Sequence, residues 1–539
     1  MSRRGHTEDA EAREALLGAG DPEGPDSDEG EVTLYKSPAV PSDDGQEGAP
    51  RRRTYEEAVE EAGFGVFHML LLLVCGWANA SDAVEILCVS FLLPTARCDL
   101  QLSSSDMGLL TASIFLGMMF GGYLWGYLAD LRGRQRVLIV SLSVNGLFGA
   151  LASLAPWFWL FLLLRFISGV GVGGSIPVIF SYFSEFLPRL RRGAMISALA
   201  TFWMAGNILA AGLAWWVIPA SWAHVALGPL TMQSWRVFVV LCSVPSLSSA
   251  LIFSLMMPES PKFLMEAGRE EEALHVFRVM FAVNHLRSSK AFPMFGLVTS
   301  SPPSQSRRSS HGSRWGRLCK TGLAPIKQLF SGSLRPRSVV LLVVFYTISF
   351  GYYGLWMWFP ELFKRTEDGG SPCANMSRLP QLQNQSCYPV NTAVYMEGFV
   401  VAASNLPGNI FTILLMDSIG GKTLLSCSLL VSSASVFFIY LVQTKAGSLV
   451  LSCVFSGVSV IGWNALDVVG TELYPTQLRS SALGFFTGVG RVAAIMGNVV
   501  FGSLVDSNCA VPILLVSALL LAGGVVAFLL PQTKHTELS

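Results

Sequence analysis

Six ionisable side chains stand inside stretches that are otherwise strongly apolar: Asp82, Glu85, Arg165, Glu397, Asp467 and Arg491. At the centre of a membrane-spanning helix each costs about 2.5–3.5 kcal/mol or more, so each needs a partner or a water-filled cavity. Asn79, Asp82 and Glu85 are spaced i, i+3, i+6, which lines them along one helical face within two turns. Two carboxylates that close in a low dielectric repel when both ionise, so one is expected to hold a proton. That chemistry suits a site that takes up and releases a proton inside the membrane. Arg165 is the natural counter-charge, which makes Asp82, Glu85 and Arg165 the candidate proton-coupling set. The plain alternative is an ion pair that only locks helices together.

A second constellation is aromatic. Trp463, Asn464 and Asp467 cluster on one face, as do Trp203 with Asn207, and Tyr352, Tyr353 with Trp356. Rings beside amides fit a pocket that stacks on a solute and hydrogen-bonds its edges. With Asn79 and Arg491 these residues form the candidate solute site. They could also be an interfacial belt or ordinary core, but mid-span placement of Tyr353 and Trp463 beside polar residues disfavours a belt. Enzyme signatures are absent. No Gly-rich phosphate loop carries a Lys, and none of the seven His has metal-ligand spacing, so neither an enzyme nor a cofactor or metal is expected. Gly169, Gly171, Gly173 and Gly174 form a GxGxGG run that follows no strand, and it reads as close helix packing.

The elements that hold these residues must be membrane helices. The chain has 539 residues, of which 51% are hydrophobic and 14% charged, against about 25% charged in soluble domains. Lys+Arg and Asp+Glu are both 37 and no basic face stands out, which argues against nucleic-acid binding. Windows of about 20 apolar residues cross a bilayer, and helices are the way to do so without unpaired backbone groups. Twelve windows are present: 67–90, 107–128, 137–156, 158–181, 195–217, 236–257, 339–362, 393–416, 423–442, 448–470, 482–504 and 510–530. They divide the chain into an acidic tail (1–66), a six-helix half (67–257), a linker (258–338), a second six-helix half (339–530) and a short tail (531–539).

Residues 1–50 carry 13 acids and 4 bases with no apolar run. They are expected to be disordered and to contain no secretory signal, leaving the first span as the insertion signal. Loop Lys and Arg set orientation. Arg51, Arg52, Arg53, Arg132, Arg134, Arg136, Arg189, Arg191, Arg192, Lys422, Arg479 and Lys534 fall on one side, and Arg97, Lys364, Arg365, Arg378 and Lys445 on the other. The first side, with both termini and a linker of 13 bases and 5 acids, is expected to be cytoplasmic. Ser300 to Ser313 of that linker is expected to be mobile. The opposite loop, 361–392, holds sequons at Asn375 and Asn384, with Cys373 and Cys387. A Cys373–Cys387 bridge is expected there, two free thiols being the alternative.

The halves repeat. Asp130, Gly133, Glu185, Pro188 and Arg192 each recur 287 residues later as Asp417, Gly420, Glu472, Pro475 and Arg479. Parallel six-helix repeats are a transporter architecture with the solute at the midplane. Asp130, Arg134, Glu185, Arg192, Asp417, Glu472 and Arg479 are therefore candidate gating residues.

Gly126-Tyr-Leu-Ala-Asp130-Leu-Arg-Gly133-Arg134 resembles the signature loop of the major facilitator superfamily. Pro258-Glu259-Ser260-Pro261-Lys262 and Glu472-Leu-Tyr-Pro475-Thr-Gln-Leu-Arg479 resemble motifs of its sugar porters and organic ion transporters. Gly173-Gly-Ser-Ile-Pro177, Phe180-Ser-Tyr-Phe-Ser-Glu185, Phe350-Gly-Tyr352-Tyr353 and Trp463-Asn464-Ala-Leu-Asp467 are similar to helices 4, 7 and 10 of the synaptic vesicle glycoprotein 2 family. The likeness spans about residues 55 to 533. That family carries a large lumenal domain between helices 7 and 8, where this chain has about 30 residues, as synaptic vesicle 2-related proteins do.

The resemblance implies an all-α membrane protein with twelve transmembrane helices in two pseudo-symmetric halves, the major facilitator fold. It matches Arg165 to the buried arginine of helix 4 that responds to the proton, and places Trp203 and Trp463 beside a central site. Gly490-Arg491-Val locally resembles organic anion transporters, which weakly favours an anionic solute. The expected function is a secondary active transporter of a small polar solute, a sugar or organic anion, by proton-coupled alternating access. The chain is expected in a vesicle or plasma membrane. The alternative is a non-transporting vesicle membrane protein that binds trafficking partners through its cytoplasmic tail. A receptor role through the glycosylated loop is a third reading, and that loop looks too short for it.

Overall fold

The computed structural model describes residues 52–294, 296–298, 323–373, 391–442, 444–474 and 476–531, and within these not the side chains at positions 52, 417, 476, 477 and 479–481. Asn375, Asn384, Cys387 and the acidic tail to residue 51 lie outside the described residues, as do the side chains of Asp417 and Arg479.

The apolar windows become helices because a helix pairs its backbone groups without outside help. In chain order they are α1 (Tyr55–Ala62), α2 (Val66–Asp99), α3 (Ser104–Arg132), α4 (Arg134–Ala152), α5 (Phe158–Ser184), α6 (Arg189–Val217) and α7 (Ser234–Met256). Two linker helices follow, α8 (Pro261–Glu266) and α9 (Glu270–His285). The second half holds α10 (Arg335–Trp356), α11 (Phe359–Gly369), α12 (Thr392–Ala403), α13 (Asn405–Ile419), α14 (Gly421–Leu441), α15 (Lys445–Glu472), α16 (Thr476–Leu504) and α17 (Ala510–Ala527). Twelve spans among the described residues are long and apolar enough to cross a membrane, with α12 and α13 sharing one that breaks at Ser404.

The two halves use the same contacts. In the first, α3 packs on α5, α4 on α5 and α7, and α2 on α6 and α7. In the second, α13 packs on α15, α14 on α15 and α17, and α10 on α16 and α17. The halves meet through α3 against α16 and α6 against α12. The glycine run of α5 packs as expected. A Cβ at Gly169 or Gly173 would lie 2.5 Å from the Ile114 carbonyl oxygen or 2.3 Å from that of Met118, both on α3.

Three sequence expectations need correction. The tail assigned to 1–66 is ordered from Arg52. Strand β1 (Arg52–Arg53) pairs in parallel with a second strand (Gly296–Leu297), and α1 buries Ala58, Val59 and Ala62 as it packs beside α9. The loop placed from 361 onward begins as helix α11, with Glu361 and Arg365 fully buried. Its charges suggested a loop, but they are paired within the protein. The disulfide joins Cys373 to Cys509, with Cα atoms 5.3 Å apart, and not to Cys387. The short α16–α17 turn lies on the same face as the end of α11, so spatial nearness overrides the 136-residue separation. Cys98 is disulfide-bonded as well.

Candidate functional site

α2 places Asn79, Asp82 and Glu85 inside its own half, all fully buried or nearly so. Asp82 accepts from Asn145 Nδ2 of α4 at 3.2 Å and from Ser175 Oγ of α5 at 2.7 Å. Among the described residues no cation pairs with it. Arg165 of α5 serves Glu85 instead: Nη1 lies 2.9 Å from Oε2, and Nη2 donates to the Glu85 backbone carbonyl at 2.7 Å. The two carboxylates therefore hold different environments. Glu85 sits in a buried ion pair, while Asp82 is held by neutral donors only. Asn145 is fixed in turn, donating to Ser246 Oγ at 3.1 Å and accepting from Ser168 Oγ at 3.0 Å. A Cβ at Gly149 would come within 3.0 Å of both Glu85 oxygens, so glycine there leaves the carboxylate room. Sequence reasoning missed Asn145, Ser168 and Ser175, whose only signal was an uncharged polar residue in an apolar span.

The aromatic residues of α10 and α15 converge. Tyr352 stacks on Trp356 with centroids 5.2 Å apart, and Trp463 meets Tyr353 at 5.8 Å and Tyr352 at 6.1 Å. Phe115 of the first half touches Tyr353 at 5.0 Å. Tyr352 and Trp356 are buried, whereas Tyr353 and Trp463 remain half-exposed and present ring surface. Trp463 Nε1 and Ser349 Oγ are enclosed without a hydrogen-bond partner, as are Oδ1 of Asn79, Asn207 and Asn498. A solute with both donors and acceptors would satisfy them. Asn464 donates to Asn409 Oδ1 at 3.0 Å and Thr412 Oγ1 at 3.4 Å, which leaves its own Oδ1 as its acceptor toward a solute.

Asp467 lies one turn along the same face and is exposed. Arg491 shares a face of α16 with Ile495, Asn498 and Gly502, at i, i+4, i+7 and i+11. A Cβ at Gly502 would lie 2.6 Å from Gly108 Cα of α3, so this face looks toward the other half. Gly490 approaches Ser349, which sets Arg491 one turn from the level of Tyr352 and Tyr353. No ion pair joins Arg491 to Asp467 among the described residues. Trp203 is half-buried in the first half and makes no ring contact with Trp463 there. Glu397 pairs with Lys445 at 3.5 Å near a helix end, which accounts for its charge without transport chemistry.

The gating residues of the first half cluster at the basic face. Arg134 Nε lies 2.6 Å from Glu185, and Asp130, mostly exposed, is 3.9 Å from Arg134. Glu259 accepts from the Arg134 and Gln135 backbone amides at 3.0 and 3.1 Å, capping α4 where the dipole favours an anion. Glu185 also accepts from Ser260, and its backbone carbonyl from Tyr55. Burial pushes the Glu185 carboxyl up to about 7, against the pull of Arg134. Arg192 donates to the Leu187 carbonyl and sits 3.7 Å from Glu56. Glu472 is exposed. At this face α3 and α16 have parted: a Cβ at Gly126, Gly484 or Gly488 would meet nothing within 4 Å.

A family model for the Major Facilitator Superfamily matches residues 71–377, and one for Sugar (and other) transporter matches residues 388–539. The chain belongs to the major facilitator superfamily. Within it the relatives include synaptic vesicle glycoprotein 2C of Mus musculus, 33% identical over 89% of this chain and 80% of the relative. Synaptic vesicle glycoprotein 2B of Homo sapiens is 32% identical over 90% and 86%, and 2A of Bos taurus 32% over 96% and 83%. The alignment with 2C runs 586 positions, longer than this chain, which fits inserted residues in that relative. The fold is shared with the Escherichia coli xylose transporter XylE in a partially occluded inward open conformation, with a TM-score of 0.63, 17% identity, and 87% of this chain and 99% of that one covered. The nucleoside transporter NupG follows with a TM-score of 0.55 and 13% identity, covering 86% and 97%. The chain is a multi-pass secondary transporter of this superfamily.

Proposed function

We propose that the chain carries a small polar organic solute across a vesicle membrane by alternating access, coupled to protons. The reading rests on Asp82, a fully buried carboxylate with no counter-ion among the described residues, one turn from the Glu85–Arg165 pair. A buried carboxylate without a counter-ion is costly when ionised, and taking up a proton removes that cost. The Asn145 and Ser175 contacts belong to α4 and α5, so the charge state of Asp82 acts on the packing of the first half. The solute binds across the midplane between Trp203 and Asn207 on one side and Tyr353, Trp463, Asn464 and Ser349 on the other. Arg491 has no ion-pair partner among the described residues, and it favours an organic anion over a neutral sugar. The solute leaves unchanged, with no enzymatic step. The basic face and both termini are cytoplasmic in this reading, the sequon loop is lumenal and glycosylated, and the acidic tail meets trafficking adaptors.

The relatives, synaptic vesicle glycoproteins by name, support a vesicle membrane, and a structural neighbour described as a D-xylose-proton symporter supports coupling. The test uses protein in proteoliposomes with an imposed pH gradient and a panel of sugars, carboxylates and amines. Asp82→Asn should abolish gradient-driven accumulation and spare exchange between loaded sides. Full accumulation by the variant would refute the assignment of Asp82.

A further inference from the structure

The hydrogen bonds and ion pairs that join the two halves cluster at the face opposite the basic one. Arg97 Nη1 of α2 lies 2.9 Å from Glu361 Oε1 of α11. Ser104, at the start of α3, donates to Asp506 in the α16–α17 turn and accepts from Arg365 Nη2 at 3.2 Å. Ser90 donates to the Met357 carbonyl at 2.7 Å, and Lys364 to the Pro94 carbonyl at 2.8 Å. Beneath them Gly108 and Gly502 bring α3 and α16 into backbone contact.

The charges are divided unevenly between the halves. Arg365 is fully buried and holds both acids of its own half, Glu361 Oε1 at 3.3 Å and Asp506 Oδ1 at 2.8 Å. That trio carries a net negative charge, and Arg97 of the other half supplies the balancing positive one. Contacts within the trio persist whichever way the carrier faces, so they select no state. The contacts that cross between the halves, Arg97–Glu361, the two bonds of Ser104, and the Ser90 and Lys364 bonds to backbone carbonyls, exist when this face is shut and vanish when it opens. Such contacts set the population of the shut state. Burial alone would raise the Asp506 carboxyl, but the Ser104 hydroxyl and the Arg365 guanidinium hold it below its ordinary value. Asp506 therefore stays charged in a mildly acidic compartment.

We infer that Arg97 and Ser104 of the first half, received by the Glu361–Arg365–Asp506 trio of the second, form the gate that closes the sequon face during the transport cycle. Arg365 keeps the two carboxylates assembled, so closure needs no rearrangement of the receiving half. This inference concerns conformation, and its test needs no solute.

A cysteine replacing Thr111, fully buried two turns beneath the latch, reports opening of this face. Purified protein bearing Thr111→Cys would be labelled with a polar thiol reagent, its native cysteines being read from the parent. Gly108→Leu supplies the open reference, because a side chain there meets the Asn498 carbonyl and Gly502 Cα at 2.8 Å. Arg97→Gln should raise the labelling rate by about ten-fold and Ser104→Ala by a few-fold, since each removes a charge-assisted bond from one state only. Glu361→Gln added to Arg97→Gln should add little, because both remove the same contact. Labelling at the parent rate in both single variants, with Gly108→Leu fast, would overturn the gate. A rise with only one of them would remove the other from it.

Discussion

Two neighbouring carboxylates on α2 should respond in opposite ways to loss of charge, and the structure sets the order. Asp82→Asn keeps every hydrogen bond: the new Oδ1 accepts from Asn145, and the new Nδ2 donates to Ser175, whose hydroxyl turns to the Val172 carbonyl it already reaches at 3.1 Å. Its folding cost should be near zero. Glu85→Gln leaves Arg165 fully buried without a counter-ion. Breaking a buried pair in this way costs about 3–5 kcal/mol, and the surviving bond from Nη2 to the Glu85 carbonyl points to about 3 kcal/mol, similar to an arginine at mid-span. Glu85→Gln is therefore the costlier of the two changes for stability. Thermal unfolding of purified protein, followed by loss of the monodisperse peak on size exclusion, should place Glu85→Gln well below the parent and Asp82→Asn beside it. Wild-type stability for Glu85→Gln, or collapse of Asp82→Asn, would refute the division of roles.

In the pocket, Trp463→Ala removes ring surface and an enclosed donor, so solute affinity should fall by tenfold or more, about 1–3 kcal/mol, with expression unchanged. Arg491→Gln should weaken anionic solutes far more than neutral ones, and equal loss for both would count against its role. Unreduced peptide mapping should recover a Cys373–Cys509 cross-link, and Cys509→Ser should cost about 2–4 kcal/mol; a Cys373–Cys387 peptide would contradict the structure. Glu185 binds a proton more tightly folded than unfolded, so its contribution to stability falls as pH rises from the ordinary carboxylate value of 4.5 to about 7 and is flat above. Glu185→Gln should flatten the unfolding midpoint across that window by up to about 3 kcal/mol, and an unaltered slope would refute it.

The spans were legible because twenty apolar residues in a row have few other uses, and the repeat because five residues kept one offset. Asp82, Glu85 and Arg165 were legible through their cost in lipid. Their partners were not: Asn145 and Ser175 are uncharged, sit on other helices and follow no spacing, so only the packing of α4 and α5 against α2 reveals them. Glu361 and Arg365 were read as loop because charge near a span end signals water. They are buried because Glu361 finds Arg97 across the interface and Arg365 finds Asp506 within its own half. The disulfide failed for a related reason, since sequence proximity is a poor guide where every turn of one face is gathered together.

The halves share five helix contacts but not their chemistry. At mid-span the first half holds the buried carboxylates Asp82 and Glu85 with Arg165, whereas the second holds the clustered rings of Tyr352, Tyr353 and Trp463 and, among the described residues, an Arg491 with no ion pair. Fold symmetry supplies the two packings a rocking carrier needs, and the divided chemistry couples them. A proton arriving at Asp82 changes contacts only within the first half, and a solute must bridge to the second. Coupling therefore has to pass through the interface, where polar latches join the halves at one face and the helices have separated at the other. A proton at Asp82 can favour one facing state only by changing how α2, α4 and α5 present Arg97 and α3 to the opposite half. Transport coupling and the Arg97 latch should thus be energetically linked. In the Asp82→Asn background, Arg97→Gln should raise Thr111→Cys labelling by a different factor than in the parent, and identical factors would mean that the proton site and the gate act independently.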